Sequence, residues 1–364
     1  MNPAITEVKE KNGVLQFTIS GINVSLANGL RRTIVSDIPI VVFKTAPYEE
    51  NKCNIIANTS RLNNEILKQR LSCIPIHIDD LNMPLKNYLL EVNVENLTDT
   101  VMYVTTENFK IKNLVTNDYL SKKDTQGIFP PDDQTGHFID FVRLRPRISD
   151  EIPGEKINLT CEFTISNAKV DGMFNVVSVC SYGCTIDDVK METELEKKRQ
   201  QWKDQGMDVE FETANWKLLD GQRITKKDSF DFMIQTIGIF TNQALVHNAC
   251  DIINEKLVLL NTQADTDELA INNSVNTMEN SYDIILQNED YTIGKIVEFM
   301  FFSKFYEDAK TLTFCGFKKM HPHDSDSIIR LAYKDPVDKA TIKQNLKSCI
   351  ESAIGVYKKI KRDI

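Results

Sequence analysis

SLANGLRRTIVSDIP, Ser25 to Pro39, sets Leu26, Leu30 and Ile34 four residues apart, so a helix running from Ser25 carries all three on one face. Upstream, Val14 to Ile19 alternates as a half-buried strand does, and a short polar turn joins the two. The same succession returns near the other end of the chain. Tyr282 to Leu286 reads as a strand, and Ile293, Ile296, Val297, Met300 and Phe301 make a broad helical stripe. SLANGL at Ser25–Leu30 lies over TIGKIV at Thr292–Val297 with hydroxyl, aliphatic and small residues in matching places. This weak internal repeat points to two copies of one supersecondary unit.

Each copy also ends in a second long helix. Leu245, Ala249, Ile252, Ile253, Leu257 and Leu260 define one; Ile342, Leu346, Ile350, Ile354 and Tyr357 define the other. For the latter, Asp335 is the expected N-cap, with Pro336 at the first helical position. Asn261 to Asn280 has no aromatic residue and is rich in Asn, Thr and Asp, which is a linker composition. As a flexible chain it would reach about 25 Å, enough to fold the C-terminal copy back onto the first. Between the first helix and Asn261 lie expected strands at Leu89–Val94, Val101–Thr105, His137–Leu144 and Ile157–Ser166, with turns at Pro130-Pro131 and Pro153-Gly154. They define a β-rich inserted domain. The mixed-charge stretch Asp187–Gly206 reads as a solvated helix.

The expected fold is therefore α+β: two modules, each a small sheet plus two long helices, paired within one chain around a seam. Leu26, Leu30, Ile34, Leu245, Leu257, Ile293, Val297 and Ile350 are its expected dimerisation residues. The expected boundaries are 1–40 with 174–260 for the first module, 41–173 for the insertion, 261–280 for the linker and 281–364 for the second module.

Composition narrows the function. In 364 residues, 43 Lys and Arg stand against 52 Asp and Glu, a net charge of −9, so any nucleic-acid contact must be local or made through a complex. No run of about 18 apolar residues offers a membrane span, and MNPAITEVKEKNG lacks the order of a secretory signal. The eight cysteines are scattered through apolar segments, as expected in a reducing, intracellular compartment. No phosphate loop, GxGxxG, HExxH or GxSxG is present, and no carboxylate pair stands out, so no catalytic residue is expected. The close pairs Cys180/Cys184 and His321/His323 each lack further ligands at metal spacing, so no metal and no cofactor are expected either.

Two local patterns carry a family resemblance. SLANGLRRTIVSDIP resembles the signature helix of the alpha-type subunits of multisubunit DNA-directed RNA polymerases, and ANTSRLNNEILKQRLSCIPIHI, Ala57–Ile78, looks like the next motif of that family. The likeness continues through Val142–Phe163 and Met173–Gly183, and Phe232–Leu257 resembles the closing strand and long helix of the larger alpha-like subunit. Asn288–Met300 and Phe314–Tyr333 resemble the smaller alpha-like partner. The chain thus resembles the two alpha-like subunits, as in the archaeal D and L subunits, fused into one, an arrangement similar to that of large DNA viruses.

The resemblance implies a non-catalytic assembly platform that docks the second-largest and largest polymerase subunits and small subunits, one copy per polymerase, touching DNA only through the complex. It implies subunit contacts at Asn28, Arg31, Arg32, Arg70 and Pro75, the two adjacent arginines being available for bidentate contacts to another subunit. The second copy has Lys295 where the first has Asn28 and lacks the arginine pair. The zinc loop or iron–sulfur cluster of some family members is not implied, because no cysteine lies between Cys73 and Cys161. The implied location is intracellular: virion and host cytoplasm if viral, otherwise nucleus or cytoplasm. The alternative is a free-standing protein-interaction scaffold reusing the fold.

Overall fold

A polar edge strand opens each of two sheets with the same strand order. In a computed structural model that describes residues 1–149, 151–275 and 278–364, the chain starts with the antiparallel hairpin β1 (Ala4–Lys11) and β2 (Val14–Ser20), then α1 (Val24–Ser36). The insertion follows as β3 (Ile40–Val42), β4 (Cys53–Asn58), α2 (Asn64–Ser72), β5 (Tyr88–Glu95), β6 (Met102–Thr105), β7 (Lys110–Asn113), α3 (Lys122–Ile128), β8 (Asp140–Leu144), β9 (Lys156–Glu162) and β10 (Thr164–Ser166). The first module resumes with β11 (Val177–Ile186), α4 (Asp188–Asp204), α5 (Val209–Leu218), β12 (Thr225–Thr236) and α6 (Asn242–Asp265). The second comprises β13 (Ile271–Asn273), β14 (Ser281–Leu286), α7 (Tyr291–Phe301), β15 (Leu312–Lys318), β16 (Ser327–Tyr333) and α8 (Lys339–Asp363).

Two compact units result: Met1–Ile34 with Val179–Gln235 and Asn242–Ile364, and Val35–Ser178 with Thr236–Thr241. The first contains both modules. Their sheets run β1-β2-β12-β11 and β13-β14-β16-β15, so in each the first strand pairs the second, the second the fourth and the fourth the third. Each has one helix after its second strand and a long helix after its fourth. The first sheet starts at the two-residue turn Asn12-Gly13, both residues with positive φ (53° and 74°), the geometry that suits a tight hairpin. Alternation in β2 turns Leu15, Phe17 and Ile19 inward, and Phe17 stacks on Phe232 of β12 at 5.3 Å between ring centres.

The second unit is built on the sheet β4-β9-β5-β7 with the ribbons β3–β10 and β6–β8. Its core gathers Phe43, Leu67, Leu90, Phe109, Phe129 and Phe141, with Phe109 edge-on to both Phe129 and Phe141. Among the described residues no helix is long and apolar enough to cross a membrane.

Several expected boundaries move. The stretch 261–280 is not a free linker: α6 continues to Asp265, and β13 pairs with β14 in the register Ile271↔Ile284. A three-residue edge strand with one inward side chain leaves no alternation to read, so its polar residues pass for linker; Asn276 and Thr277 lie outside the described residues. The cap of α8 is Asp338, whose carboxylate accepts from Thr341 N at 2.8 Å, so Asp335 and Pro336 precede the helix. Within His137–Leu144 only Asp140 onward is strand, and Ile157–Ser166 is two strands broken at Phe163. The compact second unit also extends beyond 41–173 on both sides. In the charged stretch, α4 is helical as expected but is joined to α5, and Leu195, Trp202 and Trp216 bury one another in a small core.

A cross-strand ion pair ties β14 to β16. Arg330 Nε and Nη2 donate to the two oxygens of Asp283, both at 2.7 Å, and hold its carboxyl below the usual carboxylate range. A carboxylate with a depressed native pKa contributes stability that is present above its unfolded pKa, about 3.9, and lost as pH falls through the lower native value. Asp283→Asn is expected to cost about 1 kcal/mol at pH 7, and its deficit against the parent should shrink below about pH 4. Urea unfolding at several pH values reads both effects, and a deficit that is independent of pH would contradict the assignment.

Candidate pairing seam

Helix α1 starts where Asn23 Oδ1 accepts from Ser25 N at 2.9 Å, and it buries Leu26, Ala27, Gly29, Leu30, Thr33 and Ile34. Gly29 is a point of close approach to the second module. A Cβ at Gly29 would stand 2.7 Å from Ile296 Cδ1 of α7 and 3.0 Å from the Tyr357 hydroxyl of α8. That absence of a side chain costs helix propensity, about 1 kcal/mol relative to alanine, and makes room for the second module. Tyr357 Oη donates to the Leu26 carbonyl at 2.9 Å, 331 residues away in sequence, and its complete burial pushes the phenol pKa well up. The tyrosine therefore stays a neutral donor inside the seam.

Helices α6 and α8 lie antiparallel. Lys347 pairs with Asp265, and fourteen residues further along α8, Lys361 pairs with Asp251, fourteen residues back along α6. The two pairs span about 21 Å of helix. Beyond them Gln243 Nε2 donates to the Ile364 carbonyl oxygen at 3.3 Å. Lysines of α8 thus meet aspartates of α6 along the rim of an apolar strip. Leu245 and Leu257 of α6, Ile350 of α8, Ile293 and Val297 of α7, and Leu26, Leu30 and Ile34 of α1 are all at most 1% exposed.

Arg32 is the polar end of this seam. Its Nε donates to Thr292 Oγ1 at 3.0 Å and its Nη2 meets Asp290 Oδ2 at 3.2 Å. Asp290 uses its other oxygen to cap α7, accepting from Thr292 N at 2.8 Å. The sequence reading left Arg32 available to another subunit; in the structure it is engaged within the chain, because the cap of α7 presents a carboxylate beside it. With side-chain exposures of 36% for Arg32 and 23% for Asp290, such a pair contributes on the order of 0.2–1 kcal/mol. Arg31, half-buried, donates from Nε to Asn28 Oδ1 at 3.0 Å.

Arg70 and Pro75 belong to the second unit. Arg70, exposed in the last turn of α2, donates to the carbonyls of Phe141 at 2.8 Å and Asp140 at 2.6 Å, fastening α2 to β8. It also borders a cavity of about 550 Å³ lined in part by Arg61, Tyr103, Asp140, Arg143 and Arg145. There Arg143 lies over the Tyr103 ring, 4.9 Å from its centre, while Arg145 is neutralised by Glu155 at 2.5 Å. Pro75 is half-buried between the buried Ile74 and Ile76. The structure therefore groups the seam residues and Arg31, Arg32 and Asn28 in one unit, and Arg70 with Pro75 in the other.

Gly29, Asp290 and Thr292 are seam residues that the sequence reading did not single out, and Tyr357, read there as part of the α8 stripe, also donates to Leu26 of α1. The alignment of SLANGL with TIGKIV already sets Gly29 opposite the bulkier Ile296. Asp290 followed by Thr292 is a helix-cap pattern. Among the described residues no group of three or more His, Cys, Asp and Glu is arranged to hold a metal. His321 and His323 face each other at 5.1 Å, and Cys180 is directed at the Arg31 carbonyl.

Comparison with known proteins places these features in a family. The model of the RNA polymerase Rpb3/Rpb11 dimerisation domain matches residues 16–257. The match runs from within β2 through the insertion to within α6, and ends before β13. A DNA-directed RNA polymerases I and III subunit, rpac1, of Dictyostelium discoideum is 29% identical over 177 residues, 44% of this chain and 46% of that protein. The DNA-directed RNA polymerase subunit Rpo3 of Picrophilus torridus is 28% identical over 181 residues, 48% of this chain and 61% of that protein. Alignment with these relatives thus spans about half of the first and three-fifths of the second.

Two expectations follow from the seam. Gly29→Val should destabilise the chain by about 1–3 kcal/mol through overpacking against Ile296 and Tyr357, whereas Tyr357→Phe should cost about 1 kcal/mol for one lost hydrogen bond. Equilibrium denaturation ranks them, and a neutral Gly29→Val would mean that the helices do not approach so closely in solution. Metal analysis of the purified chain should return no stoichiometric zinc or iron; metal lost on changing Cys180 and Cys184 to Ser would establish a site there.

Proposed function

We propose a function that proceeds from one fact: the chain belongs to the RNA polymerase Rpb3/Rpb11 dimerisation-domain family. In this reading it is a non-catalytic assembly subunit of a DNA-directed RNA polymerase, with the larger and smaller alpha-like partners fused and paired within one chain. The observation that carries the fusion is the repeated topology. Residues beyond 257 lie outside the family match, yet β13 to β16 repeat the strand order of β1, β2, β11 and β12 and receive their helices at the same places.

The platform docks the second-largest and largest subunits, which carry the chemistry, together with small subunits, as one copy per polymerase. Arg31, with Asn28 orienting it, is the first-module arginine left to engage a carboxylate or carbonyl of a partner. Arg32 acts inside the chain instead, holding the start of α7. Arg70 positions α2 and the segment leading to Pro75, and the arginine-lined cavity beside it suits acidic side chains of a partner. With a net charge of −9, DNA is met only through the assembled enzyme. The compartment is that of the polymerase: virion and host cytoplasm for a viral enzyme, nucleus or cytoplasm otherwise.

A tagged chain purified from its source should bring down two large catalytic subunits in equal amounts. Arg31→Glu should reduce their recovery several-fold while changing the stability of the chain itself by no more than about 0.5 kcal/mol, as for a surface substitution. Recovery of the chain without large subunits would favour a free-standing scaffold, and normal recovery with Arg31→Glu would remove that residue from the interface.

A further inference from the structure

Cys53 and Cys161 stand directly opposite each other in the β4–β9 pair. Antiparallel strands alternate between pairs that exchange main-chain hydrogen bonds and pairs that do not, and the latter bring Cα atoms to about 4.5 Å. The neighbouring pair settles which kind this is. Glu162 N donates to the Lys52 carbonyl at 3.2 Å, so Lys52/Glu162 is a bonded position and Cys53/Cys161, one step on, is not. Main-chain groups of Cys53 agree: its carbonyl accepts from Asn51 Nδ2 at 2.9 Å and its N–H donates to Asn51 Oδ1 at 3.1 Å, so its N–H is used locally and not on β9. Disulfides need Cα atoms about 4.4–6.8 Å apart, which this position supplies without moving either strand far.

We propose that Cys53 and Cys161 form an oxidative modification site, two reduced thiols set to close into a cross-strand disulfide within the inserted unit. Both are free and buried, at 3% and 0% exposure. The two thiols act on each other, which holds the pKa of Cys53 below and that of Cys161 above the usual thiol value; Cys161 Sγ donates to the Glu162 carbonyl at 3.6 Å, and Lys68 nearby favours a thiolate. Cys53, the less buried of the two and on the outer strand β4, is the attacking sulfur and Cys161 the resolving one. Access comes through β4, an outer strand of its sheet, whose pairing is already irregular between Ile55 and Ala57.

The oxidant is a small hydroperoxide. The Cys53 thiolate attacks one peroxide oxygen, the O–O bond breaks, and Cys53 becomes a sulfenic acid as hydroxide leaves. Cys161 gives up its proton and its sulfur displaces the sulfenic oxygen as a second hydroxide, forming the S–S bond. Taking up two protons, the hydroxides become water, so two thiols and one hydrogen peroxide yield one disulfide and two waters. The bond would tie β4 to β9 and close the loop that contains α2 and β5 to β8. This inference does not depend on the polymerase reading.

The test uses the full chain treated with hydrogen peroxide, quenched with an alkylating agent, digested without reduction and analysed by mass spectrometry. A peptide pair joining Cys53 to Cys161, lighter by two hydrogens and released by dithiothreitol, is expected, with a thermal midpoint several degrees above the reduced chain. Cys53→Ala and Cys161→Val should each abolish the link and the shift. Because either variant can lose stability on its own, the peptide map of the unaltered chain is decisive. Peroxide-treated protein whose two thiols both still alkylate after denaturation, or whose disulfides join only Cys73, Cys180 or Cys184, would overturn the proposal, as would sulfinic acid at Cys53 with no cross-link.

Discussion

The first unit depends on one close approach, that of Ile296 and Tyr357 to the bare backbone at Gly29. A four-stranded sheet carrying two helices leaves an apolar helical surface uncovered, and no further layer in either module supplies the cover. Each module meets that need in the other. Gly29 lets α1 come close, Tyr357 satisfies its own hydroxyl on the Leu26 carbonyl instead of leaving it buried and unpaired, and Ile296 fills the space between. Charges then select the arrangement: lysines of α8 against aspartates of α6 fix an antiparallel register, and Arg32 fixes α7 by its cap. The apolar strip drives association, whereas the polar rim determines how the helices align.

The two modules differ in their connections, and the positions of the larger connections follow from the same constraint. The first module carries the β-rich domain between α1 and β11 and the α4–α5 hairpin between β11 and β12; the second has only short connections there. Neither insertion interrupts a helix that forms the seam. The hairpin has its own small core at Leu195, Trp202 and Trp216 yet leaves Phe211, Leu218 and Leu219 exposed. Growth in loops adds surface at little cost to a pairing made by the helices.

What was legible in the sequence tracks how much of each element is buried on one side. Helices α1, α6, α7 and α8 each bury a continuous stripe, and the stripes led directly to Leu26, Leu245, Val297 and Ile350. The edge strands were not legible in the same way. Ala4–Lys11 is polar and mostly exposed, and Ile271–Asn273 has a single buried residue, so neither shows a period of two. The turn Asn12-Gly13 was a usable signal for the first hairpin. Nothing local announces the pairing of Arg32 with Asp290, 258 residues apart, or of Tyr357 with Leu26. The motif resemblance implied an outward role for Arg32, whereas its guanidinium is engaged with Thr292 and Asp290 inside the chain, a contact that no local pattern encodes.

Covalent continuity changes the thermodynamics of such a seam. Two separate chains would have to overcome the loss of translational and rotational freedom at every association, and their pairing would weaken on dilution. Here only five residues, Thr266 to Ala270, separate α6 from β13, and a connection that short holds the modules at an effective concentration in the millimolar range or above. A seam in that position can tolerate a helix-interior glycine and a polar rim worth little per pair, because it need not compete against solvent separation. The same tether also fixes stoichiometry: one larger and one smaller module always meet, and a module cannot pair with a second copy of itself without first giving up a partner that is already next to it. For a subunit proposed to present a single asymmetric platform, that exclusion of like-with-like pairing matters more than the added stability.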